Sequence, residues 1–422
     1  MEVLMDGTSL PALVTPVPGP ASKAFVDTLS RHECPAITAR RARRAAALGA
    51  ADDDPVVWAK AVGANVEDAD GNVFVDLTSG FGVAFVGHRH PAVVAAVQAQ
   101  LEQLLHAAGD AWPDVARIRL LARLGEIAPR TPVAILGLSG ADAVDAAVKT
   151  AVLATGRHKI LVFDGAYHGL ALGTLGLQAY KASFTEPFRP IVHPEVVSLP
   201  WGAPLADVEQ ALVGCGMLLV EPIQGRGGMR EPPAGWLAAI TDAAHRAGAL
   251  VCFDEIQSGL GRAGAWFAGA DVPADLVCIG KSLAGGFPLS ACLGTRAAMD
   301  AWGASKGESL HTQTFLGHPI GCAAALAVLD LVEREDLTGR ARAVGEGLRA
   351  RLVAAGFAVR GRGLMLGVET GARSLGIARA LLSRGYLVLP AGMNAEVLAL
   401  TPPVCLTDAQ AAAFVAALVE VA

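Results

Sequence analysis

Two segments decide the reading: LVCFDEIQSG at residues 250–259 and LVCIGKSLAGG at residues 276–286. Each opens with a short apolar run of the kind that forms a strand buried on both faces. Each then stops on residues that a core rejects, Asp254-Glu255-Ile256-Gln257 in the first and Gly280-Lys281-Ser282 in the second. Further apolar runs stand at Lys159–Phe163, Met217–Val220 and Ser290–Leu293, with helical patterns such as Ala141–Ala154 and Trp236–Ala247 between or before them. Buried runs separated by helices predict an α/β fold with a mostly parallel sheet covered on both faces.

On the N-terminal side, Ala64–Glu67 and Val73–Leu77 flank Asp70-Gly71, a hairpin signal. Pro91–Leu105 reads as a helix with Pro91 in its first turn. From about Thr338 a helix, a strand pair near Val359 and Leu366, and closing helices predict a smaller α/β domain. The expected division is an N-terminal arm at 1–50, a small domain from 51–95 and 326–422, and a large domain at 96–325. Pro11, Pro16, Pro18 and Pro20 make the first thirty or so residues an arm with little structure of its own.

The chain has 422 residues, 53% hydrophobic and 18% charged, which is enough for two cores. A net charge of −6 argues against nucleic acid, which needs a basic face. The run Arg40, Arg41, Arg43 and Arg44 is a local exception and reads as a helix face against the body or a partner subunit. Met1–Pro20 lacks the basic start and apolar run of a signal peptide, and no stretch is apolar enough to span a bilayer. Seven cysteines, far apart and without a C-x-x-C pair, suit reduced thiols. A cytoplasmic protein is expected.

In open α/β sheets ligands sit beyond the carboxyl ends of the strands. Here Phe163 leads to Asp164-Gly-Ala-Tyr167-His168, Val220 to Glu221-Pro-Ile-Gln224-Gly-Arg226, Phe253 to Asp254, and Ile279 to Gly280-Lys281. Lys281 is either a surface lysine or an amine whose pKa desolvation lowers until it can attack a carbonyl. Asp254, ending an apolar run, needs a partner: a structural salt bridge or a pyridinium N–H. Ser139-Gly140-Ala141 precedes a helix whose first N–H groups can bind a phosphate, and Tyr167 offers a stacking face to a flat ring. Gly259-Leu-Gly261-Arg-Ala-Gly264 matches G-x-G-x-x-G, but Ala265-Trp-Phe-Ala-Gly269 is too short and interrupted for the helix of a dinucleotide fold. His88 and His90, with Pro91 next, lack a third ligand of usable spacing, and His311 and His318 are unsupported as ligands, so no metal is expected.

Together these residues resemble the class III aminotransferases, pyridoxal-phosphate enzymes of fold type I. The resemblance runs from about Val56 to the C-terminus. It rests on Ser79-Gly80 through His88-Arg-His90-Pro91, Ser139–Asp145, Tyr167-His168-Gly169, Glu221-Pro-Ile-Gln-Gly225, Asp254–Gln257, Gly280-Lys281 and His311–Gly317. It implies pyridoxal 5'-phosphate, held by Lys281 as a Schiff base, with Asp254 on the ring nitrogen, Ile256 and Tyr167 on the ring faces and Gln257 at the 3-hydroxyl. It implies phosphate contacts from Gly140 and Ala141, and from Thr314 to the neighbouring subunit, hence a homodimer with shared sites. Ping-pong transfer of an amino group between an amine or amino acid and a keto or aldehyde acceptor is the implied reaction. An aminomutase, racemase or decarboxylase on the same fold, or a non-catalytic cofactor-binding protein, are the alternatives.

The chain departs from the family's usual residues at Ala141 (Thr), His318 (Asn), Ala399 (Arg) and Arg226 (Glu). Loss of the usual carboxylate-binding arginine makes Arg226 a candidate anion receptor, unless it is a solvated loop residue or pairs with Glu231. Phe81, Val83 and Trp112 are candidate pocket residues that could equally be packing.

Overall fold

The computed structural model describes residues 5–35, 55–304 and 307–422; the run Arg40, Arg41, Arg43 and Arg44 lies outside them. Its centre is a seven-stranded sheet in the order Val133–Gly137, Ser290–Gly294, Leu276–Ile279, Leu250–Asp254, Cys215–Val220, Lys159–Phe163, Val196–Leu199. Ser290–Gly294 runs antiparallel to both neighbours, and the other pairings are parallel.

Side chains alternate between the faces of a strand, and each inner strand is divided accordingly. Val251 and Phe253 pack with Leu161, Leu218 and Val220 under the helix Trp236–Arg246. Cys252 points the other way, with Ile160, Met217 and Cys278, under Ala143, Val144 and Ala147 of the helix Gly140–Thr155. All of these are buried, each aliphatic or aromatic side chain contributing about 1.5–3 kcal/mol. That two-sided burial is why the strands read as continuous apolar runs.

Two four-stranded sheets lie outside this one. Trp58–Val62, Asn65–Asp68 and Val73–Asp76 pair antiparallel and take Tyr386–Leu387 as a parallel edge. Val359–Arg362, Met365–Glu369, Val397–Leu400 and Leu389–Ala391 form an antiparallel sheet. Val75 and Leu77 share one core with Leu366, Leu398 and Phe414, so both ends of the chain meet there. The expected hairpin is present, its loop held by Asp68, whose Oδ1 accepts the N–H groups of Asp70 and Asn72.

The arm differs from expectation, because Pro20–His32 is a helix and Ala12 bridges Val73. Its N-cap, Gly19, has no side chain to cap with; the carboxylate of Asp70 accepts the Ala21 and Ser22 N–H groups at 2.6 and 2.8 Å instead. A cap supplied from a distant turn leaves no local signal. The helix from Pro91 ends at Leu101, short of Leu105. Val133–Gly137 and Val196–Leu199 are strands that periodicity did not mark.

Arg262 joins the parts. Its side chain is fully buried, with Nη1 donating to the carbonyls of Thr401 and Pro402, Nη2 donating to that of Gly82 at 3.2 Å, and its cation 5.0 Å from the Phe85 ring. Burial lowers its pKa to about 9. Arg262→Ala removes charged hydrogen bonds from three buried carbonyls and leaves a void. It should cost about 3–5 kcal/mol in guanidinium unfolding, and an unchanged midpoint would contradict this role.

Candidate active site

Asp254 pairs with Cys278 in parallel register, and Lys281 follows that strand, so both emerge at one end of the sheet. Asp254 is 5% exposed. Its Oδ2 bonds Nδ1 of His168 at 2.7 Å, and its Oδ1 accepts the Ile256 N–H at 3.1 Å. His168 comes from the loop after Lys159–Phe163, two strands away, and is buried with no partner for Nε2 among the described residues. A carboxylate taken out of water is thus held by hydrogen bonds rather than by an Arg or Lys.

The partly buried Lys281 donates from Nζ to Gln257 Oε1 at 2.6 Å. Desolvation pushes its pKa down to about 8; the Glu221 and Asp254 carboxylates oppose this, while Arg226 and Arg262 add to it. Its φ of 27° is a strained region for a side-chain-bearing residue, of the sort that persists where surrounding structure enforces it. Gly82, with φ of 86°, passes close by; a Cβ there would meet Lys281 Cδ at 3.7 Å.

Glu221 ties two loops together, since Oε1 accepts the Tyr167 N–H and Oε2 the Gly225 N–H, each at 3.0 Å. Burial pushes its carboxyl group upward, with the charge of Asp254 adding and His168 opposing. Neither Glu221 nor His168 is assigned a role by the sequence, although both sit in the loops it singles out. Only their tertiary contacts reveal one.

At the start of the helix Gly140–Thr155, Ser139 Oγ accepts the Asp142 N–H and Asp142 accepts the Ser139 N–H. The Ser139 hydroxyl accepts this cap bond and keeps an O–H to donate. Gly140 and Ala141 follow in the first turn, whose N–H groups have no carbonyl within the helix. A Cβ on Gly140 would come within 2.9 Å of Ile256 Cδ1, so glycine is what lets the helix start pack directly against Ile256.

Arg226 lies over Tyr167, its guanidinium carbon 4.7 Å from the ring centre, and 5.3 Å from the centre of Tyr180. It does not pair with Glu231, which is 3.7 Å from Arg362. Ala399 packs with Ile223, Met229, Ala263 and Met365. Phe81 (φ 66°, 65% exposed) and Trp112 (77% exposed) have open faces, and Val83 is partly buried. Thr314 is exposed on the loop before the helix Pro319–Arg334. His318 is the N-cap of that helix and makes no side-chain cap bond; asparagine, a strong N-cap residue, would make one. His88 bonds Asp76 at 2.8 Å and His90 accepts the Ala92 N–H. Gly259–Gly264 runs as turns with no helix after it.

The anion-ready helix start, the crevice beside Ile256, the buried Asp254 and the Lys281 amine fit a flat heterocyclic aldehyde carrying a phosphate. Residues 48–422 match the family model described as Aminotransferase class-III. The chain belongs to this family. It is 39% identical over 378 residues to an acetylornithine aminotransferase of Mycobacterium tuberculosis, covering 86% of this chain and 91% of the relative. It is 34% identical to a 4-aminobutyrate aminotransferase of Mycobacterium bovis, with 94% of each covered. Among solved structures, the ornithine aminotransferase of Toxoplasma gondii superposes with a TM-score of 0.83 at 26% identity over 94% of both chains. A PLP-bound amine transaminase from an uncultivated Pseudomonas species gives 0.81 at 29% identity, over 87% of this chain and 94% of that one.

This class III aminotransferase is a pyridoxal-phosphate-dependent transaminase of fold type I. No helix among its described residues is long and apolar enough to cross a membrane. Gly140→Ala should drive Ile256 into the crevice, at a cost of about 1–3 kcal/mol. Titration of the apoprotein should then show cofactor affinity weakened roughly tenfold to a hundredfold; wild-type affinity would mean that Ile256 does not border the cofactor.

Proposed function

We propose that Lys281 holds the cofactor covalently and moves protons, and that Asp254, oriented by His168, pairs with the ring nitrogen. Ser139, Gly140 and Ala141 form the phosphate site, the last two through their N–H groups. Tyr167 and Ile256 cover the ring, and Gln257 sits at its 3-hydroxyl. Thr314 reaches the phosphate of a second subunit in a homodimer, which suits its exposure in one chain. Phe81, Val83 and Trp112 line the substrate entrance. The domain limits 51–95, 96–325 and 326–422 and a cytoplasmic location belong to the same reading. The observation that carries it is a lysine amine with a pKa near 8 at the same sheet end as a buried aspartate.

When bound, pyridoxal phosphate supplies a carbonyl that takes up an amino group and a ring that accepts electrons. The chain supplies the rest. Asp254, oriented by its two hydrogen bonds, would pair with a protonated ring nitrogen. Lys281 Nζ, titrating close to neutrality, can take a proton and return it. The relatives named for acetylornithine, and the one named for 4-aminobutyrate, support a donor whose amine is distal to a carboxylate, with a keto acid as acceptor.

The lowered pKa makes Lys281 neutral above about pH 8, whereas an ordinary lysine stays charged to about 10.4. The rate at which apoprotein takes up cofactor should therefore rise through pH 8 and level off above it. A rise centred near 10 would contradict the burial argument. From pH 8 to about 10.4 the unfolded chain binds the proton that the folded one has lost, so apoprotein stability should also increase with pH there. Lys281→Ala should abolish the borohydride-fixed chromophore and reduce turnover by about 10²–10⁴; a variant that keeps both would refute the assignment.

A further inference from the structure

Arg226 is a cation beside the Lys281 crevice that has no counter-ion among the described residues. No described carboxylate comes within ion-pair reach of it: Glu231 is engaged by Arg362 and Glu369 by Arg360. Its backbone is fixed on both sides. The Gly225 N–H is held by Glu221, and the Arg226 carbonyl accepts the Gly392 N–H at 2.9 Å. The Gly392 carbonyl in turn accepts the Tyr180 hydroxyl at 2.9 Å. Gly225 is packed on Gln257, the partner of Lys281, which places the next residue at the crevice wall.

The Arg226 guanidinium carbon lies over the rings of Tyr167 and Tyr180, contacts a cation makes with aromatic faces. A guanidinium carries its N–H donors as an in-plane fork that matches the two oxygens of a carboxylate. Ala399, in the apolar cluster with Ile223 and Met229, brings no second charge to this wall. Glu221, which bonds the neighbouring Gly225 N–H, and Glu396, which accepts the Asn394 N–H, form no ion pair with Arg226 either.

We propose that Arg226 is a fixed carboxylate receptor used in both half-reactions, so that amino donor and carbonyl acceptor must each carry a carboxylate. This rests on the reading of the Lys281 crevice as the reaction centre.

Glutarate, which has neither an amine nor a carbonyl to react, isolates the contact. Calorimetry on the holoenzyme should show its Kd raised tenfold to a hundredfold by Arg226→Gln and partly recovered by Arg226→Lys, which keeps the charge but loses the fork. The preference in kcat/KM for 5-aminopentanoate over 1-aminopentane, and for succinate semialdehyde over butanal, should fall by a similar factor, mainly through KM. Glutarate binding that is undetectable in the wild type, or unchanged in Arg226→Gln, overturns the proposal, as does a preference that persists in either half-reaction. Should the Gln variant not fold, the Lys variant decides, since an unaltered glutarate Kd there overturns it too. Borohydride trapping separates the two levels: no chromophore on wild-type Lys281 counts against the reaction centre itself. A normal chromophore with unchanged glutarate binding in the variant counts against Arg226 alone.

Discussion

Charge removed from water at one end of a parallel sheet is the constraint around which the molecule is arranged. Asp254, Glu221, Lys281 and Arg262 sit at or behind the strand ends, and none can be left without partners at such depth. The partners come from far along the chain. Asp254 uses His168, Lys281 uses Gln257, and Arg262 uses carbonyls from Gly82 and from Thr401 and Pro402. Loops that would otherwise move over the surface are drawn together by these groups.

The same economy appears in the walls of the crevice. Glu221 spans from the Tyr167 loop to the Gly225 loop, so a stacking ring and a cationic wall are positioned by one carboxylate. Gly140 and Ile256 meet with no room for another methyl group. Lys281 accepts a positive φ, a strain that the buried turn around it must offset.

Much of this is legible in the sequence because two-sided burial writes itself as uninterrupted apolar runs. Leu250–Phe253 and Leu276–Ile279 are marked by composition alone, and the polar residues just past them point to the crevice. Val196–Leu199 carries no such mark because it is an edge strand, only half buried, and Val133–Gly137 because it is mostly half buried as well. The Pro20–His32 helix is hidden because its cap comes from Asp70. The stacking of Arg226, the role of Glu221 and the bond from His168 to Asp254 are out of reach for the same reason: each joins residues dozens of positions apart. A local pattern records which residues are unusual, and only the closed fold records which of them meet.

Arg262 also bears on the order in which the molecule matures. It is bonded to Gly82, 180 residues earlier, and to Thr401 and Pro402, 139 and 140 residues later. During synthesis the central sheet can assemble while this guanidinium still lacks its last two acceptors. Gly82, which passes beside Lys281, gains its link to the carboxyl-terminal segment only once that segment docks, a late event in the life of the nascent chain.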